Sequence, residues 1–149
     1  MPLVFAGISS HAPGITGRAA MADPELKDGF HGAYRAMGEA IRRACDELHE
    51  RIALVGTGGI SHWPATPDSG KINEAWDRAF LDKWARNDRE ALLGYTDEDT
   101  YREAGQGGFE IRTFLSVAAA ARGKGEIRHY APIPIFAVGC TIGVMQVEG

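Results

Sequence analysis

Cysteine is scarce. The 149 residues hold two, Cys45 and Cys140, and neither stands at a spacing that makes a metal knuckle or a redox pair. A disulfide-stapled framework is therefore excluded, and a reducing cytoplasm is the expected compartment. Positive charge is also short. Sixteen Lys and Arg face twenty Asp and Glu, a formal net charge of −4, so the electrostatic footprint of a nucleic-acid binder is missing. No apolar run approaches the roughly 18 residues that a bilayer crossing takes, so no membrane partner is expected. The opening MPLVFAGISS has neither a basic start nor a long apolar stretch and reads as a strand, not a secretion signal. Several reaction signatures are missing as well. GTGG at 56–59 is followed by no Lys-Ser/Thr pair and is not GxGxxG, and neither GxSxG nor HExxH occurs.

What remains is the composition of an ordinary globular protein, 44% hydrophobic and 24% charged, long enough for one domain, 1–149, with a real core. Leu3–Ile8 and Ile52–Val55 are short apolar runs that read as buried strands. Between them Asp23 and Pro24 suit a helix start. Apolar residues then recur at Leu26, Phe30, Tyr34, Met37, Ile41, Cys45 and Leu48, steps of three and four that predict a long amphipathic helix. Gly29, Gly32 and Gly38 each weaken it by roughly 1 kcal/mol against Ala, and a kink or junction is expected near Gly38. Lys71 to Asn87, Asp88–Leu93, Asp97–Ala104 and Phe109–Arg122 read as helices. Gly105–Gly108 reads as a flexible loop, and Gly123–Gly125 as the stop of the last helix. Glu126–Ala131, Ile133–Val138 and Thr141–Val147 read as strands, with Pro132 and Pro134 keeping the middle one near an edge or a strand start. This order predicts an α/β fold, a three-layer α/β/α domain with a mixed, mostly parallel sheet.

In open α/β sheets, sites form at the carboxyl ends of strands. His11 and His62 both lie just past such ends. His11, in SSHAPG, is placed to bind a divalent metal, or else to hydrogen-bond a loop. His62 follows a wide glycine turn and is either a proton donor and acceptor or a pin for its loop. Glu74, in a first helical turn, is either a dipole-favoured surface charge or a carboxylate aimed at the His62 loop. Asp77 is expected to pair with a neighbouring Arg or Lys. His31 and His49 are expected to be solvated or satisfied locally, and His129 to be structural. Trp63, Trp76 and Trp84 are expected in core and wall, with Trp63 able to line a pocket for a flat ring.

SSHAPGITGRA at 9–19, IALVGTGGISHW at 52–63, INEAWDRAFLDKW at 72–84 and GQGGFEIRTFLSVAAAA at 105–121 together resemble the class III extradiol ring-cleavage dioxygenases, the LigB-like family. The resemblance implies a cytoplasmic enzyme of aromatic catabolism. It would use non-haem Fe(II) and O2 to open a catecholic ring of the protocatechuate or gallate kind, iron being held by two histidines and a glutamate. Carried over, His11 and Glu74 are the iron ligands, and His62 is the catalytic histidine assisting at the pocket. Trp63, Gln106 and Gly107 shape the substrate side. The second iron histidine and a proton-shuttling histidine are expected between the first strand and GTGG, where this chain has only the helix around Gly29–Leu48. The resemblance thus implies a central deletion near residues 37–39. It also leaves an alternative: a non-catalytic LigB-like fragment or assembly module. Lost strands would expose sheet edges, which implies a homo-oligomer or a separate small subunit as partner. A metal-dependent hydrolase is a third reading, without a hydrolase motif to support it.

Overall fold

The computed structural model describes residues 3–8 and 29–148, with side chains from residue 31 onward. In chain order these form strand β1 (Leu3–Ile8), helix α1 (Gly29–Asp46), strand β2 (Arg51–Gly56), and helices α2 (Glu74–Arg86), α3 (Arg89–Leu93) and α4 (Asp97–Ala104). A 3-10 turn at Gly107–Glu110, helix α5 (Ile111–Ala121), strand β3 (Arg122–Ile133), a 3-10 turn at Pro134–Phe136 and strand β4 (Val138–Val147) complete the order.

β1 and β2 run parallel, from Leu3 opposite Arg51 to Ile8 opposite Gly56. Parallel neighbours need a long crossover, and α1 lies in that connection. β3 and β4 are antiparallel, Ile133 opposite Val138 beside the turn and Arg122 opposite Val147 at the far end. The chain is α/β, as expected. The single mixed sheet is not what the described residues form: they make two two-stranded sheets, one parallel and one antiparallel. Part of the reason is local. Pro134 opens a 3-10 turn, and Ala137 closes it in the left-handed region at φ 53°. The run Ile133–Val138, expected as one strand, therefore reverses the chain, and the last strands form a hairpin.

Helix α5 is the centre of the packing. It is Ala-rich, and α1 crosses it closely at Gly38. A Cβ at Gly38 would lie 2.8 Å from the Ser116 carbonyl carbon and 2.9 Å from the Ala119 methyl. The residue that lowers helix propensity in α1 is therefore what lets the two backbones approach, and α1 is continuous through it. Ser116 Oγ donates to the Tyr34 carbonyl at 2.7 Å across the same crossing.

On another side of α5, α2 buries Phe80, Leu81 and Trp84 against Ile111, Phe114 and Leu115, with Met145 of β4 closing the cluster. Phe114 meets Phe80 and Trp84 edge-on, with ring centroids 5.9 and 6.0 Å apart. Trp84 Nε1 donates to the Phe114 carbonyl at 2.9 Å, satisfying the one polar group of the indole. α2 begins at Glu74, not Lys71, because Asn73 caps it: its Oδ1 accepts the Trp76 N–H at 3.2 Å. At the other end Asn87 Nδ2 donates to the carbonyls of Ala118 and Gly123. Arg122, at φ 68°, ends α5, so Gly123–Gly125 already belong to β3. Among the described residues no helix is long and apolar enough to cross a membrane.

Candidate functional site

The loop after β2, residues 57–63, is held by segments distant in sequence. Ile60 N–H donates to the Gly139 carbonyl (3.0 Å) and Gly139 N–H to the Ser61 carbonyl (3.2 Å). His62 N–H donates to the Ala104 carbonyl (2.9 Å), and Gly107 N–H to the His62 carbonyl (3.2 Å). Gly59 N–H donates to Glu110 Oε2 at 2.5 Å. Each bond satisfies a main-chain group that an irregular loop would otherwise leave open.

Beneath this loop lies Asp77, completely buried. Its Oδ1 accepts the Ser61 N–H at 2.9 Å and its Oδ2 accepts the Tyr130 hydroxyl at 2.7 Å. Burial pushes the Asp77 carboxyl above its usual range, against the opposing pull of the bonds from Tyr130 and Ser61. Burial, then the Asp77 bond, pushes the Tyr130 phenol up as well. The expected Arg or Lys partner of Asp77 is thus replaced by a main-chain amide and a phenol. The neighbouring Arg78 instead lies over the Tyr130 ring, 4.7 Å from its centroid. Ser61 Oγ accepts the Asn73 N–H at 2.7 Å, which joins the loop to the start of α2.

His62 sits at the tip. Its Nδ1 is 3.0 Å from the Ile60 carbonyl oxygen and its Nε2 is 3.8 Å from Glu110 Oε1. A carbonyl only accepts, so Nδ1 is the protonated nitrogen, and in the neutral ring Nε2 is the acceptor, with the Glu110 carboxylate beside it. Gly107 makes the room: a Cβ there would fall on the His62 ring. Trp63 is buried, with Lys71 Nζ 4.5 Å above its ring centroid. Gln106 Nε2 donates to the Pro64 carbonyl. Residues 105–108, expected as a flexible loop, instead lead into a packed 3-10 turn in which Gly107 and Gly108 are buried. The structure thus brings His62, Trp63, Gln106 and Gly107 together.

Glu74 directly follows Asn73, as the first residue of α2. Its side chain is 53% exposed and lies 3.8 Å from Arg78 Nη2. His11 lies outside the described residues. Among the described residues no group of three His, Cys, Asp or Glu is placed to hold a metal. Of the two outcomes expected for His31, solvated or satisfied locally, the first does not hold: it is 1% exposed. Its Nδ1 lies 3.5 Å from Asp97 Oδ1, an oxygen that also accepts from Arg112 at 2.7 Å. Burial, then Arg112, lowers its pKa to about 4, with Asp97 acting the other way. His31 is a neutral core histidine. His49 and His129 are exposed. Sequence reasoning missed Glu110 and Tyr130. Glu110 lies within the quoted GQGGFEIRTF segment, whereas nothing local marked Tyr130.

The family model described as the catalytic LigB subunit of aromatic ring-opening dioxygenase matches residues 30–139. The chain is 28% identical to a 2,3-dihydroxyphenylpropionate/2,3-dihydroxicinnamic acid 1,2-dioxygenase of Burkholderia vietnamiensis, over 70% of this chain and 48% of that protein. It is 33% identical to a gallate dioxygenase of Pseudomonas putida over 62% of this chain and 28% of that protein. The chain spans about half the length of the first of these curated relatives. That alignment runs over 152 positions, and 70% of 149 residues is about 104, so about 48 aligned positions have no counterpart here. The match is that of a shortened member, and the chain belongs to the family of the catalytic LigB subunit of aromatic ring-opening dioxygenases.

Proposed function

We propose that this chain serves extradiol-type ring opening of a catecholic aromatic by O2, with the substrate of the protocatechuate or gallate kind. Fe(II) would be held by His11, Glu74 and a third ligand. The observation that carries the reading is the orientation of His62, whose Nδ1 faces the Ile60 carbonyl at 3.0 Å, so that in the neutral ring Nε2 is the nitrogen that can take a proton. A catechol must lose protons before its ring opens, and a general base within reach contributes typically 10²–10⁴-fold. Glu110 Oε1 lies 3.8 Å from Nε2. Trp63 and Gln106, each fixed by its own partner, and Gly107, which leaves the ring its space, form the wall behind His62. The first two curated relatives named here as dioxygenases support this substrate class, and the free thiols of Cys45 and Cys140 suit a reducing cytoplasm.

The described residues alone do not make an iron site: they supply Glu74, which is half-exposed and paired with Arg78, and no group of three ligands. With about 48 positions missing against a relative, this favours a second reading, a non-catalytic module of the LigB fold. The three-layer sheet of the family would then be incomplete in this chain. Anaerobic Fe(II) titration, followed by protocatechuate, gallate or catechol with O2 and absorbance spectroscopy, separates the two. On the first reading a coloured ring-opened product forms. His11→Ala and Glu74→Ala lose iron, and His62→Gln keeps iron but loses about 10²-fold or more in turnover. A folded chain that takes up no iron and forms no product establishes the second.

A further inference from the structure

A cleft of about 760 Å³ lies between β2 and β4, with α5 as its floor. It is not the site described above: neither His62 nor Glu74 lines it. Its walls are unusual in one respect. Five consecutive residues of β2, Ile52 to Gly56, and five of β4, Thr141 to Met145, face it. Side chains alternate across a strand, so a wall made by one face would use every second residue. Consecutive residues mean that the strands present their edges. Among the described residues β2 pairs only with β1, and β4 only with β3, so each has one ladder edge without a partner. β4 and the loop that follows β2 are tied at one end by the paired bonds between Gly139 and Ile60–Ser61. Beyond that tie the two strands stay apart and enclose the cleft.

We propose that this cleft receives an extended strand of a partner polypeptide, which joins the two sheets by pairing with both edges. Strand addition to an open edge draws affinity from main-chain hydrogen bonds and specificity from alternate side-chain positions. The chemistry of the occupant follows from the lining. Ile142 and Val144 are 62% and 54% exposed, and Val55 is exposed too; all three line the cleft, so the occupant carries apolar side chains through its middle. Arg42, Asp46 and Glu50 also line it. Arg42 and Asp46 are paired with each other at 2.7 Å, which leaves Glu50: it directly precedes β2, at the end away from the Gly139 tie, and has no ion-pair partner among the described residues. A Lys or Arg therefore belongs at that end of the strand.

The test uses the full chain and an eight-residue synthetic peptide of alternating valine and threonine ending in lysine. The expected result is saturable binding with slowed amide hydrogen exchange confined to residues 52–56 and 141–147. The double variant Ile142→Lys/Val144→Lys changes only exposed positions, so it should keep its melting temperature while binding at least about ten-fold more weakly. No binding, protection elsewhere, or undiminished binding to the folded double variant overturns the proposal. So does slowed exchange at these same residues that grows with protein concentration without peptide, since the occupant would then be a second copy of this chain. None of these readouts depends on turnover, so the proposal can fail while the dioxygenase reading stands, and the reverse.

Discussion

His31 makes the acid limb of the stability curve a direct probe of the packing around α1. The imidazole is buried, its Nδ1 faces Asp97 at 3.5 Å, and its Nε2 has no hydrogen-bond partner among the described residues. Its pKa is lowered from 6.5 to about 4, so the folded chain resists a proton that the unfolded chain accepts. The stability tied to this difference is present above pH 6.5 and is lost as the pH falls towards 4. The interval corresponds to about 3 kcal/mol, of which about 2.5 kcal/mol falls between pH 7.5 and 4.5. For a chain of this size that is roughly 5–10 °C in melting temperature. Carboxylates titrate in the same range, so the quantity to measure is a difference: thermal unfolding of the native chain and of His31→Gln by circular dichroism at both pH values. The native chain should lose about 5–10 °C more than the variant on acidification. Parallel curves for the two proteins would refute the burial of a neutral imidazole at this position.

Asp77→Ala leaves the Ser61 N–H and the Tyr130 hydroxyl without their acceptor and should cost about 2–4 kcal/mol in denaturant unfolding. Tyr130→Phe removes one donor and nothing else, and about 1–2 kcal/mol is expected in the same assay. Gly107→Ala puts a methyl group where the His62 ring lies; the His62 ring resonances should move in NMR spectra while the remaining histidines stay put. Trp84→Phe gives up both the bond to the Phe114 carbonyl and part of the indole volume, and about 1–3 kcal/mol of stability should go with them.

Local structure was legible in the sequence wherever a short segment decides it. The steps of three and four through Tyr34, Met37 and Ile41 gave α1, and the apolar runs at Leu3–Ile8 and Ile52–Val55 gave the parallel pair. Asn73 shows the limit: it moved the start of α2 by three residues because a side-chain cap, not periodicity, fixes the first turn. What stayed hidden depends on residues far apart. Nothing near Asp77 indicates that Tyr130, 53 positions away, donates to it. The Glu110 bond to Gly59 spans 51 positions. The sequence left His31 between solvated and satisfied locally, because its burial depends on Arg112 and Asp97, far along the chain. The ring of His62 could be singled out from GGISH, but its tautomer could not, since that is set by how the loop folds back on the Ile60 carbonyl.

The bonds that hold the GGISH loop have a temporal consequence. Gly139, which bonds the loop, and Tyr130, which bonds Asp77 beneath it, belong to the closing hairpin and are the last of these groups to be synthesised. While a ribosome is still extending the chain, β2 and α2 can exist, yet Asp77 has no phenol to bind and Ile60 has no carbonyl opposite it. The loop that presents His62 can therefore settle only after the final strands emerge, so an incompletely translated chain carries the sequence of the candidate site without its geometry.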